Sequence, residues 1–263
     1  MKVVLFCGGM GTRLGGVSDN LPKPMVKIGY RPILWHIMKY YAHFGHKDFI
    51  LCLGYKADLI KDYFLNYNET LSNDFTMTNG GKNLKLKTCD ITDWTIHFVD
   101  TGLYANVGQR LKAIEPYIEG DPVFMANYAD GLTDFNLAAM VDLFQTSGKI
   151  ASFICAKLTQ SFHVVDVGDE GLVSDIRYVR DSNLLINGGF FIFRREIFNY
   201  IRPGEELVIE PFQRLIAEKQ LIGYRVDKFW CMDTFKDHQE LNDMYDKGNA
   251  PWALWKASNP VDV

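Results

Sequence analysis

The sequence predicts an α/β protein: a Rossmann-like, doubly wound, mostly parallel sheet that carries a small β-rich lobe. Three observations lead there. Apolar runs of strand length alternate with stretches of helical spacing as far as residue 157, the first run opens into a glycine-rich turn, and near residue 164 the texture changes to short strands joined by a Gly168-Asp169-Glu170-Gly171 turn.

In chain order, Lys2 to Cys7 reads as a short buried strand, followed by Gly8-Gly9-Met10-Gly11-Thr12-Arg13-Leu14. Leu34, Ile37, Met38, Tyr41 and Gly45 then recur at helical spacing, and Phe49 to Leu53 makes a compact strand, which completes a βαβ unit. Leu59, Ile60, Tyr63, Phe64 and Tyr67 mark a second helix, and Trp94 to Val99 a further strand. Between these two lie residues 68 to 93, polar and interrupted by Asn79-Gly80-Gly81, which read as an irregular excursion or a small hairpin. The alternation resumes with a helix around Leu111, Ile114 and Ile118, a strand from Val123 to Ala129, a helix from Leu137 to Phe144 and a strand from Ile150 to Lys157. Val164 to Val167 and Leu172 to Val179 flank the glycine turn as a β-hairpin. Leu185 to Phe193 supplies a strand, Leu207 to Ala217 a helix, Ile222 to Val226 a strand and Thr234 to Tyr245 a polar-faced helix ahead of a Trp-rich tail.

Composition narrows the function. With 263 residues and 48% hydrophobic content the chain can bury one sizeable core, so a single domain spanning 1–263 is expected. Net charge is −4 and the basic residues are scattered, which leaves no electrostatic footprint for nucleic acid. Any anion must be met locally. No run of 18 apolar residues suggests a membrane span, and the apolar run at the N-terminus is too short for a signal peptide. Cys7, Cys52, Cys89, Cys155 and Cys231 are odd in number and far apart, as expected of reduced, mostly buried thiols in a cytoplasmic protein.

The glycine turn is the most informative motif. Glycines directly after a buried strand let backbone N–H groups approach an anion, while Arg13 offers a planar fork and Lys23, between Pro22 and Pro24, a point charge. That combination suits a polyphosphate. The dinucleotide fingerprint fails at Leu14, and no Gly-Lys-Ser or Gly-Lys-Thr follows at P-loop spacing. An ordinary strand-to-helix turn with solvated charges accounts equally for the glycines alone.

In an open α/β sheet, ligands bind beyond the carboxyl ends of the strands, so acids at other strand ends should converge on this turn. Asp130 follows the run Val123 to Tyr128, and Asp233 follows Phe229-Trp230-Cys231-Met232. Two carboxylates beside a phosphate cradle suit Mg²⁺, although Asp233 also suits the N-cap of the next helix and Asp130 a plain turn. Asp100-Thr101-Gly102 and Arg110 lie where a base or phosphate contact, or merely a turn and a solvated charge, is expected. Asn187-Gly188-Gly189 interrupts an apolar strand, which points to a close approach on that face. Zinc and Ser-triad signatures are absent from the sequence.

Taken together, the motifs resemble the sugar-phosphate nucleotidyltransferase family, most of all its cytidylyltransferases acting on glucose 1-phosphate. The resemblance rests on Gly8 to Leu14, Pro22 to Val26, Pro32 to Met38, Gly54-Tyr55-Lys56, Val99 to Gly102, Arg110-Leu111-Lys112, Asp130-Gly131, Asn187 to Phe191, Met232-Asp233-Thr234 and Ala250-Pro251-Trp252, in that order. It implies transfer of CMP from CTP to a phosphorylated acceptor with loss of pyrophosphate. It also implies Mg²⁺ on Asp130 and Asp233, catalytic roles for Arg13 and Lys23, and a homo-oligomer, with the 68–93 excursion and the Trp252/Trp255 tail as contact surfaces. Phe6, Cys7, Gly8, Gly9, Met10, Gly11, Thr12, Thr101, Gly102, Arg110 and Ala129 would contact the nucleotide. Residues 1–157 would mainly bind nucleotide, 158–233 mainly the acceptor, and 234–263 would form the C-terminal helix and tail.

Departures cluster on the acceptor side. Arg177-Tyr178-Val179 stands where the family usually carries Glu-Lys-Pro, Ser161-Phe162-His163 replaces Arg-Phe-Gly, Ala129 replaces a glycine and Val107 a polar residue. Acceptor contacts would therefore fall to Arg177, Tyr178, Arg180, Asn187 and Gly188, with Arg177 or Arg180 supplying a cation and glucose 1-phosphate not guaranteed as acceptor. UTP or dTTP in place of CTP, and a catalytically silent nucleotide-sugar-binding relative, are the competing expectations.

Overall fold

The computed structural model describes residues 1–9, 21–158 and 162–257. Lys2–Phe6 (β1), Asp48–Leu53 (β2), Thr95–Asp100 (β3), Val123–Asn127 (β4), Ala151–Lys157 (β5), Leu185–Arg194 (β6) and Leu221–Val226 (β7) form one seven-stranded sheet in the order β7-β5-β6-β4-β1-β2-β3. β1 lies near its middle, and Val3, Val4, Leu5 and Phe6 are all buried, as an unalternating apolar run requires when both faces are covered. Pairings β1–β2, β1–β4, β2–β3 and β5–β7 are parallel. Only β6 runs antiparallel to both of its neighbours. The sheet is thus mostly parallel and draws two strands, β6 and β7, from beyond residue 157.

Helices cover both faces. Ile33–His43 (α1), Ala57–Leu65 (α2) and Leu137–Ser147 (α4) contribute Leu34, Ile60, Met140 and Phe144 to a core shared with Val3, Leu5 and Leu51. Val107–Ala113 (α3) and Glu210–Ala217 (α5) contribute Leu111, Phe212 and Leu215 to a second core with Val4, Phe6 and Ile50. Alternate β1 residues therefore feed opposite cores, as the two-residue side-chain period of a strand dictates. α3 and α5 are shorter than the apolar spacing suggests. Residues 115–118 form a tight 3₁₀ turn with Pro116 at its start, and α5 begins one residue ahead of Pro211, where a missing N–H costs nothing.

The excursion is a hairpin pairing Phe75–Thr78 with Asn83–Leu86 across Asn79–Gly81. A buried Arg31 ties its base to the core, donating to the Asn68 carbonyl at 2.8 Å, to Ser72 Oγ at 3.1 Å and to Tyr63 at 3.3 Å, with its guanidinium 4.2 Å above the Tyr67 ring. His163–Val167 pairs with Val173–Tyr178 in the second hairpin. The tail folds back on its own chain: Trp252 is 1% exposed and packs edge-on against Trp230, and Trp255 packs against Trp35. That burial leaves Trp252 no surface for a second copy. Cys89 differs from the other thiols in being exposed, because it lies in the polar excursion. No described helix is long and apolar enough to cross a membrane.

Candidate active site

Gly131–Thr133 pairs antiparallel with Phe229–Cys231, with Gly131 opposite Cys231, and the Met232 N–H donates to the Asp130 carbonyl at 2.9 Å. This two-stranded clip brings Asp130 and Asp233 side by side beyond the carboxyl end of β4. Lys23 opens a 3₁₀ turn, Lys23–Met25, and its ammonium donates to Asp130 Oδ2 at 2.7 Å and to Asp233 Oδ1. Burial works against the Lys23 charge, but the two aspartates outweigh it and hold its pKa above the ordinary ammonium value. Asp233 does not cap the helix Phe235–Asp246 (α6). Thr234 does, in a capping box with Asp237, which leaves the Asp233 carboxylate to face Lys23.

All three groups line a cavity of about 620 Å³ together with Phe6, Gly9, Ala105, Asn106, Val107, Arg110, Tyr128, Ile186, Asn187, Gly188, Glu206, Phe229 and Cys231. Donor atoms of Asp130, Cys231 and Asp233 lie within 4.8 Å of one another. Two carboxylates already bridged by one point cation fit a hard divalent ion. Cys231 adds no oxygen, and burial pushes its thiol pKa up, which keeps it neutral.

Arg110 shapes the cavity wall nearest the end of β1. Its guanidinium, 4% exposed, donates to the carbonyls of Gly8 at 3.0 Å, Leu53 at 3.1 Å and Leu103 at 3.4 Å, and to Thr101 Oγ1 at 2.7 Å. A Cβ on Gly8 would lie 2.1 Å from Arg110 Nη1, so glycine there makes room for the guanidinium. Arg110 thus clamps the backbone at the ends of β1, β2 and β3. Cys7 lies behind this layer, fully buried, its N–H bonded to the Cys52 carbonyl at 3.0 Å. The Gly102 N–H donates to Asp100 at 3.0 Å. Ala129, immediately before Asp130, is buried at φ 63°, a left-handed conformation that costs a non-glycine residue about 1 kcal/mol or more.

Of the acceptor candidates, Asn187 and Gly188 line the cavity. Arg177 instead pairs with Asp166 at 2.6 Å and with Asp175 on its own hairpin, Tyr178 stacks on His163 at 4.5 Å, and Arg180 lies 4.5 Å over the Tyr178 ring. None of the three is among the cavity's lining residues. The close approach read from Asn187-Gly188-Gly189 is made by protein: a Cβ on Gly189 would lie 2.2 Å from the Tyr128 ring and one on Gly188 2.6 Å from Ile154. Met10, Gly11, Thr12, Arg13 and Ser161 lie outside the described residues. Ala105, Asn106, Tyr128, Ile186, Glu206, Phe229 and Cys231 line the cavity without having been expected as site residues, and Tyr128 and Glu206 are, with Cys231, the ones among them that can ionise. Tyr128 stood in the strand run beside Asp130; Glu206 carried no local signal.

Residues 2–247 match the profile of the nucleotidyl transferase family. The chain belongs to that family. It is 35% identical over 258 residues to the glucose-1-phosphate cytidylyltransferase of Salmonella typhimurium, an alignment covering 97% of this chain and 100% of that one. Among solved structures, the UDP-glucose pyrophosphorylase of Acinetobacter baumanii superimposes with a TM-score of 0.67 at 15% identity, covering 98% of this chain and 97% of that one. HddC from Yersinia pseudotuberculosis complexed with GMP-PN does so with a TM-score of 0.65 at 20% identity, covering 93% and 99%. The protein is therefore a nucleotidyltransferase of the sugar-phosphate class, on the same Rossmann-like fold.

Proposed function

We propose that this nucleotidyltransferase moves CMP from CTP to a phosphorylated sugar and releases pyrophosphate. One observation carries the reading: Lys23 bridges Asp130 and Asp233 at the mouth of the glycine strand, so the charges that an anionic transfer needs meet in one cavity. An acceptor phosphate oxygen bonds to the α-phosphorus of CTP as the bond from that phosphorus to the bridging oxygen breaks. The electron pair leaves on pyrophosphate. The chain supplies position and charge rather than covalent chemistry.

Phe6, Gly8 and Gly9, with Gly11 to Arg13, wrap the nucleotide in this reading. Arg13 steadies the pyrophosphate, and Lys23 neutralises the α-phosphate. Thr101, Gly102 and Arg110 fix the backbone under the base, and Ala129 sets the direction of Asp130. Asp130 and Asp233 would hold Mg²⁺, which would offset triphosphate charge. Asn187 and Gly188 face the acceptor, so residues 1–157 mainly serve CTP and 158–233 mainly the acceptor. Free thiols suit a cytoplasmic enzyme, and exposed Met77 and Leu84 on the excursion are where self-association would form. Pyrophosphate release from CTP, UTP and dTTP across a panel of sugar phosphates tests the reading; CTP is expected to lead, and no release with any pair sinks it.

A further inference from the structure

A third carboxylate faces the cavity, that of Glu206, and the transfer as described gives it no role. Its position is fixed from several sides. Glu206 lies on the loop before α5, and this loop packs tightly on α3, where a Cβ on Gly108 would lie 2.4 Å from the Glu205 carbonyl. The Leu207 N–H donates to Glu206 Oε1 at 3.1 Å, and the Glu206 N–H donates to Glu210 at 3.2 Å. Among the described residues, Glu206 Oε2 accepts no hydrogen bond and the carboxylate has no ion pair.

Its neighbours on that wall form a neutral hydrogen-bonding set. Asn187 Nδ2 donates to the Tyr128 hydroxyl at 3.2 Å, and Asn187 Oδ1 accepts from the Gly189 N–H at 2.9 Å, which fixes the amide. Tyr128 can then donate its own proton into the cavity. A second negative charge near a triphosphate is repelled, whereas a carboxylate held by a single backbone N–H is a strong acceptor for neutral O–H donors. Among the described residues, the cations lining the cavity are Lys23 and Arg110, both engaged with protein acceptors, so the Glu206 wall offers hydroxyl chemistry.

We propose that Glu206 is the specificity-determining residue for the acceptor, accepting hydrogen bonds from hydroxyls on the uncharged, polyhydroxylated ring of a sugar phosphate, with Tyr128 and Asn187 beside it. This rests on the acceptor side of the proposed function and names the group that reads it. A hydrogen bond to a charged acceptor in a fixed site is lost at a cost of about tenfold or more in affinity.

The test compares Glu206→Gln, Glu206→Asp and the unmodified enzyme, each checked by circular-dichroism melting, with glucose 1-phosphate and its 2-deoxy and 6-deoxy analogues as acceptors. Glu206→Gln is expected to raise the glucose 1-phosphate KM about tenfold, leave the CTP KM unchanged, and narrow the gap between glucose 1-phosphate and at least one deoxy analogue. Glu206→Asp is expected to lie between. An unchanged acceptor KM overturns the proposal, and so does a rise confined to the CTP KM, which would put Glu206 against the cytosine amino group. Calorimetric titration of glucose 1-phosphate alone separates the two levels. Binding that weakens in Glu206→Gln without any CMP transfer supports the inference and refutes the proposed reaction. Transfer that is indifferent to Glu206 does the reverse.

Discussion

Lys23→Met removes the ammonium from the cavity and keeps most of the side chain's bulk. The facing oxygens of Asp130 and Asp233 lie within 4.8 Å. At an effective dielectric of about 20, two unit charges at that distance repel by about 3 kcal/mol. Asp233 is 39% exposed in its side chain, so solvent roughly halves that repulsion. In the unmodified protein a divalent ion entering the pair must displace Lys23; in the variant it instead relieves the repulsion. Calorimetric titration with Mn²⁺ in the absence of nucleotide is therefore expected to show about tenfold tighter binding to Lys23→Met. Turnover should move the other way, falling about 100-fold or more in a pyrophosphate-release assay, because a preorganised charge at the reacting phosphate is gone. Metal binding no tighter than in the parent refutes the paired-carboxylate reading, and near-normal turnover refutes the role of Lys23.

Three further outcomes follow from contacts around the site. Gly8→Ala should destabilise by about 2 kcal/mol because its Cβ meets Arg110, and adding Arg110→Ala should give a double variant more stable than the sum of the two losses, measured by urea unfolding. His36 is buried, its Nε2 3.0 Å from the Ile28 carbonyl, and desolvation lowers its pKa to about 4. The unfolded chain then binds more protons between pH 6.5 and 4, so the His36 contribution is complete above about pH 6.5 and falls by up to about 3 kcal/mol on acidification towards pH 4. His36→Gln should flatten that part of the stability profile. Arg31→Leu leaves Asp90, 8% exposed, without its guanidinium neighbour at 3.6 Å. Asp90 keeps Lys39 at 3.2 Å, so the loss is that of the Arg31 hydrogen bonds: local opening at a cost reduced by about 2 kcal/mol should make residues 68–93 the first site of limited proteolysis, and an unchanged cleavage pattern would show that Arg31 is not the clasp.

Local pattern foretold the elements well because their physics is local. The run Val3 to Phe6 needs two covered faces, and Thr234 to Asp237 spells a capping box in four residues. Asp130 and Asp233 were also legible as acids that end apolar runs, although the strand ahead of Asp233 belongs to the antiparallel clip and not to the main sheet. The antiparallel direction of β6 was not legible, because Leu185 to Phe193 reads alike in either direction and only its pairing with β4 and β5 decides. Arg110 reads from sequence as a charge for the ligand; its four protein acceptors come from the turn after β1, from β2 and from the loop after β3, and no local pattern could reveal them.

Glu206 shows why the proposed acceptor wall resists a linear reading. Sequence comparison within a motif asks what replaced the Glu-Lys-Pro residues at 177–179, and finds Arg177 and Tyr178 held on their own hairpin. The cavity is supplied from elsewhere: an acid about thirty residues further on, placed by the packing of the α5 loop against Gly108. A hydroxyl-reading carboxylate needs only to face the cavity with a free oxygen, and several loops around a strand-end crevice satisfy that geometry. In the proposed reaction the phosphate-handling groups have less latitude, because Lys23, Asp130 and Asp233 meet one another as well as the ligand. Mutual contact ties that half of the site to fixed positions in the sheet, and its absence lets the other half change partners without changing the fold.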